Sequence, residues 1–202
     1  MHFRAVADRC AVDMRQLRLP VSDALALQIL ESAGFSLLEV DVVQVAWELL
    51  GNSYRRGARL SEAPDVFDCS SFIKYVYGMR GIWLPRRSIQ QRRCGINVGI
   101  EEVLGGDLIF CSGHIDYFDS DPDDGVGHVG IATDAGTVIH AANRHLGVVE
   151  VPRQAFLGQP EHFRGAKRIV PRTARIVTLQ APQGRELEIS DDIRWIVLQQ
   201  MS

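Results

Sequence analysis

The chain has 202 residues, 46% of them apolar and 23% charged, with a net charge of −3. That is an ordinary globular composition, enough for one well-packed domain with small additions at its ends. The slight acidity leaves no basic footprint for nucleic acid, and no window approaches the length of a membrane-crossing helix.

The first nine residues mix charges and lack the apolar run of a secretory leader. The expected location is therefore the cytoplasm, with signal-independent export as the other route. Four cysteines, Cys10, Cys69, Cys94 and Cys111, match no CxxC metal or redox spacing. Such usage points to a reduced protein rather than a disulfide framework.

In chain order, Ser22 and Asp23 before residues 24–33, closed by Gly34, predict a short helix with a polar N-cap and a glycine stop. Residues 36–50 predict a second helix, with Leu38, Val42, Val45, Ala46 and Leu49 at helical spacing. Residues 1–40 thus form an expected helical extension with packing or dimer contact as its role. Tyr54 then stands in a polar connector, 15 positions before Cys69.

Asp68 and Ser70 suit the start of a third helix, whose apolar face is Phe72, Ile73, Val76 and Tyr77. Cys69 falls in its first turn. Unpaired N–H groups and the helix dipole there favour a negative sulfur, and such a setting can lower a thiol pKa from about 8.5 toward neutrality. Alone this is weak, because a single cysteine is more often core than nucleophile.

Residues 81–91 read as a turn and a short helix. Residues 105–111, 127–133 and 137–142 each read as a turn leading into an apolar strand, with Asp134-Ala135-Gly136 as a tight hairpin. Residues 148–151 and 166–170 add two more. Helices first and an antiparallel sheet afterwards define an α+β domain. His128 opens one hairpin strand and His140 closes its partner, so pairing brings both to one end of the sheet. A helix-start cysteine, a strand histidine and a third group that orients the imidazole form the arrangement a thiol nucleophile needs. Either histidine by itself would read as an ordinary turn or strand-end residue.

Six motifs in order now carry a resemblance: Tyr54 after a helix, Phe67-Asp68-Cys69-Ser70, the run Leu84-Pro85-Arg86-Arg87-Ser88-Ile89-Gln90-Gln91, Gly106-Asp107-Leu108-Ile109-Phe110, His128-Val129-Gly130-Ile131 and Val138-Ile139-His140-Ala141. From about residue 41 to 168 the chain resembles the NlpC-type cell-wall cysteine peptidases. The resemblance implies a papain-like α+β domain over residues 41–170, with N-terminal helices packed on a central antiparallel sheet. It implies Cys69 as nucleophile, His128 as general base and His140 as the residue that holds the His128 ring. Tyr54 becomes a substrate or oxyanion contact, joined by the Cys69 N–H, and Ser70 is grouped with it. Asp68 and Ser88 match positions that bind the free amino end of short muropeptides, and an anionic Asp68 suits an ammonium group. The substrate implied is a peptidoglycan stem peptide or muropeptide, cut at a γ-D-glutamyl bond to a diamino acid. No metal or organic cofactor is implied. An amidase or acyltransferase using the same Cys and His is the rival reading, and a non-catalytic binding protein on this fold is a third.

Three departures stand out: Ser71 replaces a usual glycine, Arg87 a usual small polar residue, and residues 111–127 hold a longer acidic insertion. Asp119, Asp121 and Asp123 are spaced like the first ligands of an EF-hand loop. Asp124 stands where that loop needs glycine, however, and Gly130 where it needs glutamate. A zinc site from His114, His128, His140 and a cysteine is the other metal reading, and the helix-start setting of Cys69 favours a nucleophile instead. Residues 171–202 lie outside the resemblance. Their β-branched runs at 175–180 and 193–198 are expected as strands at the sheet edge or as a homodimer contact.

Overall fold

The computed structural model describes residues 2–113 and 125–201. The calcium candidates Asp119, Asp121 and Asp123, and His114, lie outside the described residues. The chain divides into two compact units, one from residues 1–41, 77–83 and 172–202, the other from 42–76 and 84–171. It starts in the first with β1 (Arg9–Asp13), α1 (Asp23–Ser32) and β2 (Ser36–Leu38). It enters the second with α2 (Val42–Glu48), β3 (Ser53–Tyr54), β4 (Val66–Phe67), α3 (Cys69–Met79), α4 (Ser88–Gln91) and β5 (Ile96–Val98). β6 (Leu108–Ser112), β7 (Val126–Ala132), β8 (Thr137–Asn143), β9 (Gly147–Pro152), α5 (Arg153–Leu157) and β10 (Phe163–Arg168) follow. The chain returns to the first unit with β11 (Ile176–Gln180) and α6 (Asp191–Gln200).

In the first unit β11 lies between β1 and β2, antiparallel to both. Its core includes Cys10, Val12, Leu30, Phe35, Leu179, Ile193 and Val197. The Ser22 hydroxyl caps α1 by accepting the Leu25 N–H at 3.3 Å, as the sequence predicts. The internal segment 77–83 runs beside β1, where the Ala11 N–H donates to the Gly81 carbonyl at 2.9 Å. Gly81 has φ +73°, and a Cβ there would sit 2.6 Å from the Ala11 nitrogen, so only glycine fits this approach.

Both terminal expectations need correction. Residues 1–40 are not a helical extension, since they supply two strands and one helix to a unit with its own core. The expected helix over 36–50 begins only at Val42, because residues 36–38 pair with β11, with Leu38 opposite Thr178. Residues 176–180 form a strand, but in this separate sheet rather than at the edge of the larger one. Residues 193–198 form part of α6, not a strand. Ile193, Ile196 and Val197 are buried at helical spacing while Trp195 is 67% exposed, so the 3.6-residue period overrides the β-branched composition.

The second unit carries a six-stranded antiparallel sheet in the order β5-β10-β6-β7-β8-β9, which contains all five strands expected from the sequence. Its interior includes Ile109, Val129, Ile131, Val138 and Ile139, all fully buried. α3 buries Phe72, Ile73 and Val76, and the Phe67 ring meets Phe72 edge-on at 5.6 Å. Arg168 of β10 grips Asp107, just before β6, with two parallel hydrogen bonds of 2.9 and 2.7 Å. The α+β architecture is the one expected.

Candidate active site

The site is built outward from the start of α3. Asp68 is its N-cap: Oδ1 accepts the Ser71 N–H at 2.8 Å, and the Ser71 hydroxyl accepts the Asp68 N–H at 2.9 Å. The Asp68 carbonyl accepts the Phe72 N–H at 3.0 Å, the first bond of the helix. This is a reciprocal capping arrangement, and Ser71 is what completes it. Cys69 is therefore the first helical residue, and its own N–H has no acceptor within the helix.

Arg86 braces the cap from the other side. Its Nη1 donates to Asp68 Oδ1 at 3.0 Å and to Ser70 Oγ at 2.9 Å, and its Nη2 donates to Asp68 Oδ2 and to the Ala58 carbonyl. Burial would raise the Asp68 pKa, but the Arg86 hydrogen bonds and the Ser71 amide outweigh it and hold the carboxyl below its usual range. Asp68 is an anion whose oxygens already have partners, so an ammonium group would share it with a guanidinium.

The Cys69 thiol departs from the sequence expectation. Burial, followed by the charge of Asp68, pushes it up to about 12, while the amides of Val129 and Ser70 and the Arg86 charge pull the other way. Desolvation outweighs the helix start. At neutral pH this environment favours the protonated sulfur.

The two histidines stand on β7 and β8. The register of those strands, Ile131 with Ile139 and Ala132 with Val138, counts back to Gly130 opposite His140, so His128, two residues before Gly130, is a diagonal neighbour of His140 on the same face. His128 Nε2 lies 2.7 Å from His140 Nδ1, with the rings nearly perpendicular at 81°. Burial, then the neighbouring His128, lowers the His140 pKa to about 3, so His140 is neutral at physiological pH. Phe156 of α5 touches both rings, at 5.5 Å and 33° to His128 and at 4.9 Å and 84° to His140. Cys111 pairs directly opposite His128 across β6 and β7.

Tyr54 reaches the site because β3 pairs in parallel with β4, opposite Phe67. Burial first, then the proximity of Cys69 and Asp68, raises its phenol pKa, opposed by Arg56. A cleft of about 1180 Å³ is lined by Tyr54, Asp68, Cys69, Ser70, Ser88, His128 and His140 together. The structure thus gathers all seven positions singled out in the sequence. Arg86, Ser71, Phe156 and Cys111 were missed as site neighbours. An arginine beside the Leu84-Pro85 turn and a serine three positions after Asp68 were visible signals, whereas nothing local marked Phe156. All four cysteines are free. Among the described residues no cluster of three or more His, Cys, Asp or Glu could hold a metal, and no helix is long and apolar enough to cross a membrane.

The model of the NlpC/P60 family matches residues 51–161, a span from just before Tyr54 to the end of α5 and beyond. The chain belongs to the NlpC/P60 family. A γ-D-glutamyl-L-lysine dipeptidyl-peptidase of Bacillus cereus is 36% identical over 106 residues, 52% of this chain and 29% of that protein. A solved NlpC/P60 family protein from Bacillus cereus is 30% identical with a TM-score of 0.55, covering 65% of this chain and 40% of that one. The NlpC/P60 domain of the peptidoglycan hydrolase SagA is 26% identical with a TM-score of 0.51, covering 63% of this chain and 95% of that domain. The chain spans 17% of the length of a Listeria seeligeri relative and 51% of a Corynebacterium glutamicum one.

Proposed function

We propose that this NlpC/P60 protein is a cysteine peptidase that hydrolyses peptidoglycan stem peptides or muropeptides at the γ-D-glutamyl bond to a diamino acid. The observation that carries the reading is the meeting, in one cleft, of a helix-start cysteine and a 2.7 Å histidine pair. His140 is neutral and its Nδ1 accepts from His128 Nε2–H, which fixes the His128 tautomer and directs Nδ1 toward the thiol proton. As Cys69 Sγ attacks the substrate carbonyl, its proton passes to His128, and the charge pair replaces a neutral thiol and a neutral imidazole. The Cys69 N–H and the Tyr54 hydroxyl are the donors for the oxyanion. His128 then protonates the leaving amine, and water activated by the same ring releases the acyl-enzyme.

The names of the relatives support the bond and the substrate class: one is a γ-D-glutamyl-L-lysine dipeptidyl-peptidase and another a peptidoglycan hydrolase. Asp68, Ser70 and Ser88 form the acyl-side wall, where Asp68 and Arg86 together offer both an acceptor and donors to the residue preceding the glutamyl group.

The test is digestion of purified muropeptides followed by mass spectrometry, alongside Cys69→Ala. Cleavage between D-glutamate and the diamino acid, lost in the variant, is the expected result. An intact muropeptide pool with a Cys69 that still reacts with an acylating probe would move the assignment to another acyl substrate.

A further inference from the structure

We infer that Phe156 is a positioning residue for the histidine pair: its ring seals the His128–His140 hydrogen bond and lies against the imidazole that becomes charged when Cys69 is activated. The inference rests on the proposed roles of Cys69 and His128 and adds a component that neither the cysteine nor the histidines supply.

Three observations carry it. First, Phe156 contacts both rings at once, tilted against His128 (33°, centroids 5.5 Å apart) and edge-on to His140 (84°, 4.9 Å). The tilted geometry keeps the two centroids within the roughly 6 Å at which a cation is attracted to an aromatic ring. A neutral His128 gains little from that ring and an imidazolium gains more, so the contact favours the state with the proton on His128. Second, the ring packs close to the sheet beside the two histidines. A Cβ on Gly130, two residues after His128, would clash first with Val138 Cγ1 and would also come within 3.0 Å of Phe156 Cε2 and 3.1 Å of Cζ. Glycine at this position leaves room for both neighbours. Third, Phe156 lines the cleft beside Cys69, His128 and His140. An apolar cover there keeps water from competing for His128 Nε2 and His140 Nδ1, in the low-dielectric setting where a hydrogen bond is strongest.

No bond other than the thiol S–H changes in the step concerned. The proton leaves Cys69 Sγ, arrives on His128, and the sulfur keeps the electron pair. Phe156 shifts the balance between the neutral and charged pairs without itself exchanging anything. Its action is therefore visible wherever the thiolate is counted directly, with or without a peptide substrate.

The experiment compares Phe156→Leu, Phe156→Met, Phe156→Tyr and Phe156→Trp in the full chain. Alkylation of Cys69 by iodoacetamide at pH 7 counts the thiolate, and muropeptide cleavage gives kcat and KM. The expected result for Leu and Met is a fall of about tenfold in both alkylation rate and kcat, with KM changed by less than about twofold. The aromatic variants should restore both to within about threefold. Either aliphatic variant suffices if the other does not fold by circular dichroism. Unchanged alkylation in a folded aliphatic variant, or equal losses in aromatic and aliphatic variants, would overturn the inference. A wild-type protein that cleaves no muropeptide would refute the peptidase reading, and the alkylation series would still decide the role of Phe156.

Discussion

His140 holds His128 at 2.7 Å while remaining uncharged itself. In the proposed mechanism the partner of the general base is thus a neutral ring, not an anion, and its contribution is orientation. His140→Asn, which keeps a neutral hydrogen-bonding side chain, should retain kcat within about tenfold, whereas His140→Ala should lose about a hundredfold. Steady-state cleavage of one muropeptide by both variants checks this. Equal losses would show that the imidazole itself, and not its hydrogen bond, is required.

The same residue sets an acid limit on stability. Unfolded, His140 binds a proton as the pH falls through about 6.5, while folded it resists protonation down to about 3. Between those values the unfolded state holds more protons, so stability rises with pH and is lost as the pH falls. His140→Asn removes this dependence and should move the acid unfolding midpoint, followed by circular dichroism, to lower pH.

In the proposed mechanism, activation of Cys69 depends on His128 rather than on the helix start. With the thiol near 12, His128→Ala should show almost no iodoacetamide alkylation of Cys69 at pH 7, with reactivity returning only as the pH approaches the thiol's own range. A rate within about threefold of wild type at pH 7 would mean that helix N–H groups alone generate the thiolate.

Ser71 completes the cap with Asp68. Ser71→Ala should cost about 1 kcal/mol in urea unfolding, the usual worth of a lost helix cap. Asp107→Ala should cost more, about 3–5 kcal/mol, because it leaves the largely buried Arg168 guanidinium without its bidentate partner.

Much of this was legible in the sequence because it is local or periodic. The α3 start is written in Asp68-Cys69-Ser70, the five strands from residue 105 to 170 in their alternation and turns, and the histidine pair in a hairpin that forces its ends together. What escaped depends on the third dimension. The thiol pKa is set by desolvation, which no run of residues displays, and helix placement alone gave the wrong sign. Asp68 looked like an open anion because Arg86, 18 positions away, is not visibly its partner. α6 was misread because Ile193, Ile196 and Val197 satisfy helical spacing while their residue types favour strands. The partnership of the two ends was hidden altogether, since β1 and β11 carry no mark of each other.

That partnership has a consequence for the order in which the molecule matures. β1 ends at Asp13 and its partner β11 begins at Ile176, so the two can meet only after the whole second unit has been synthesised. At about 5–20 residues per second, β1 waits on the order of 10–30 s on the ribosome. Its apolar residues Cys10, Ala11 and Val12, fully buried in the finished protein, lack their central strand throughout that interval. A nascent chain stalled before Ile176 would have every strand of the six-stranded sheet but an unfinished first unit, and that is where a chaperone or protease would find its handle.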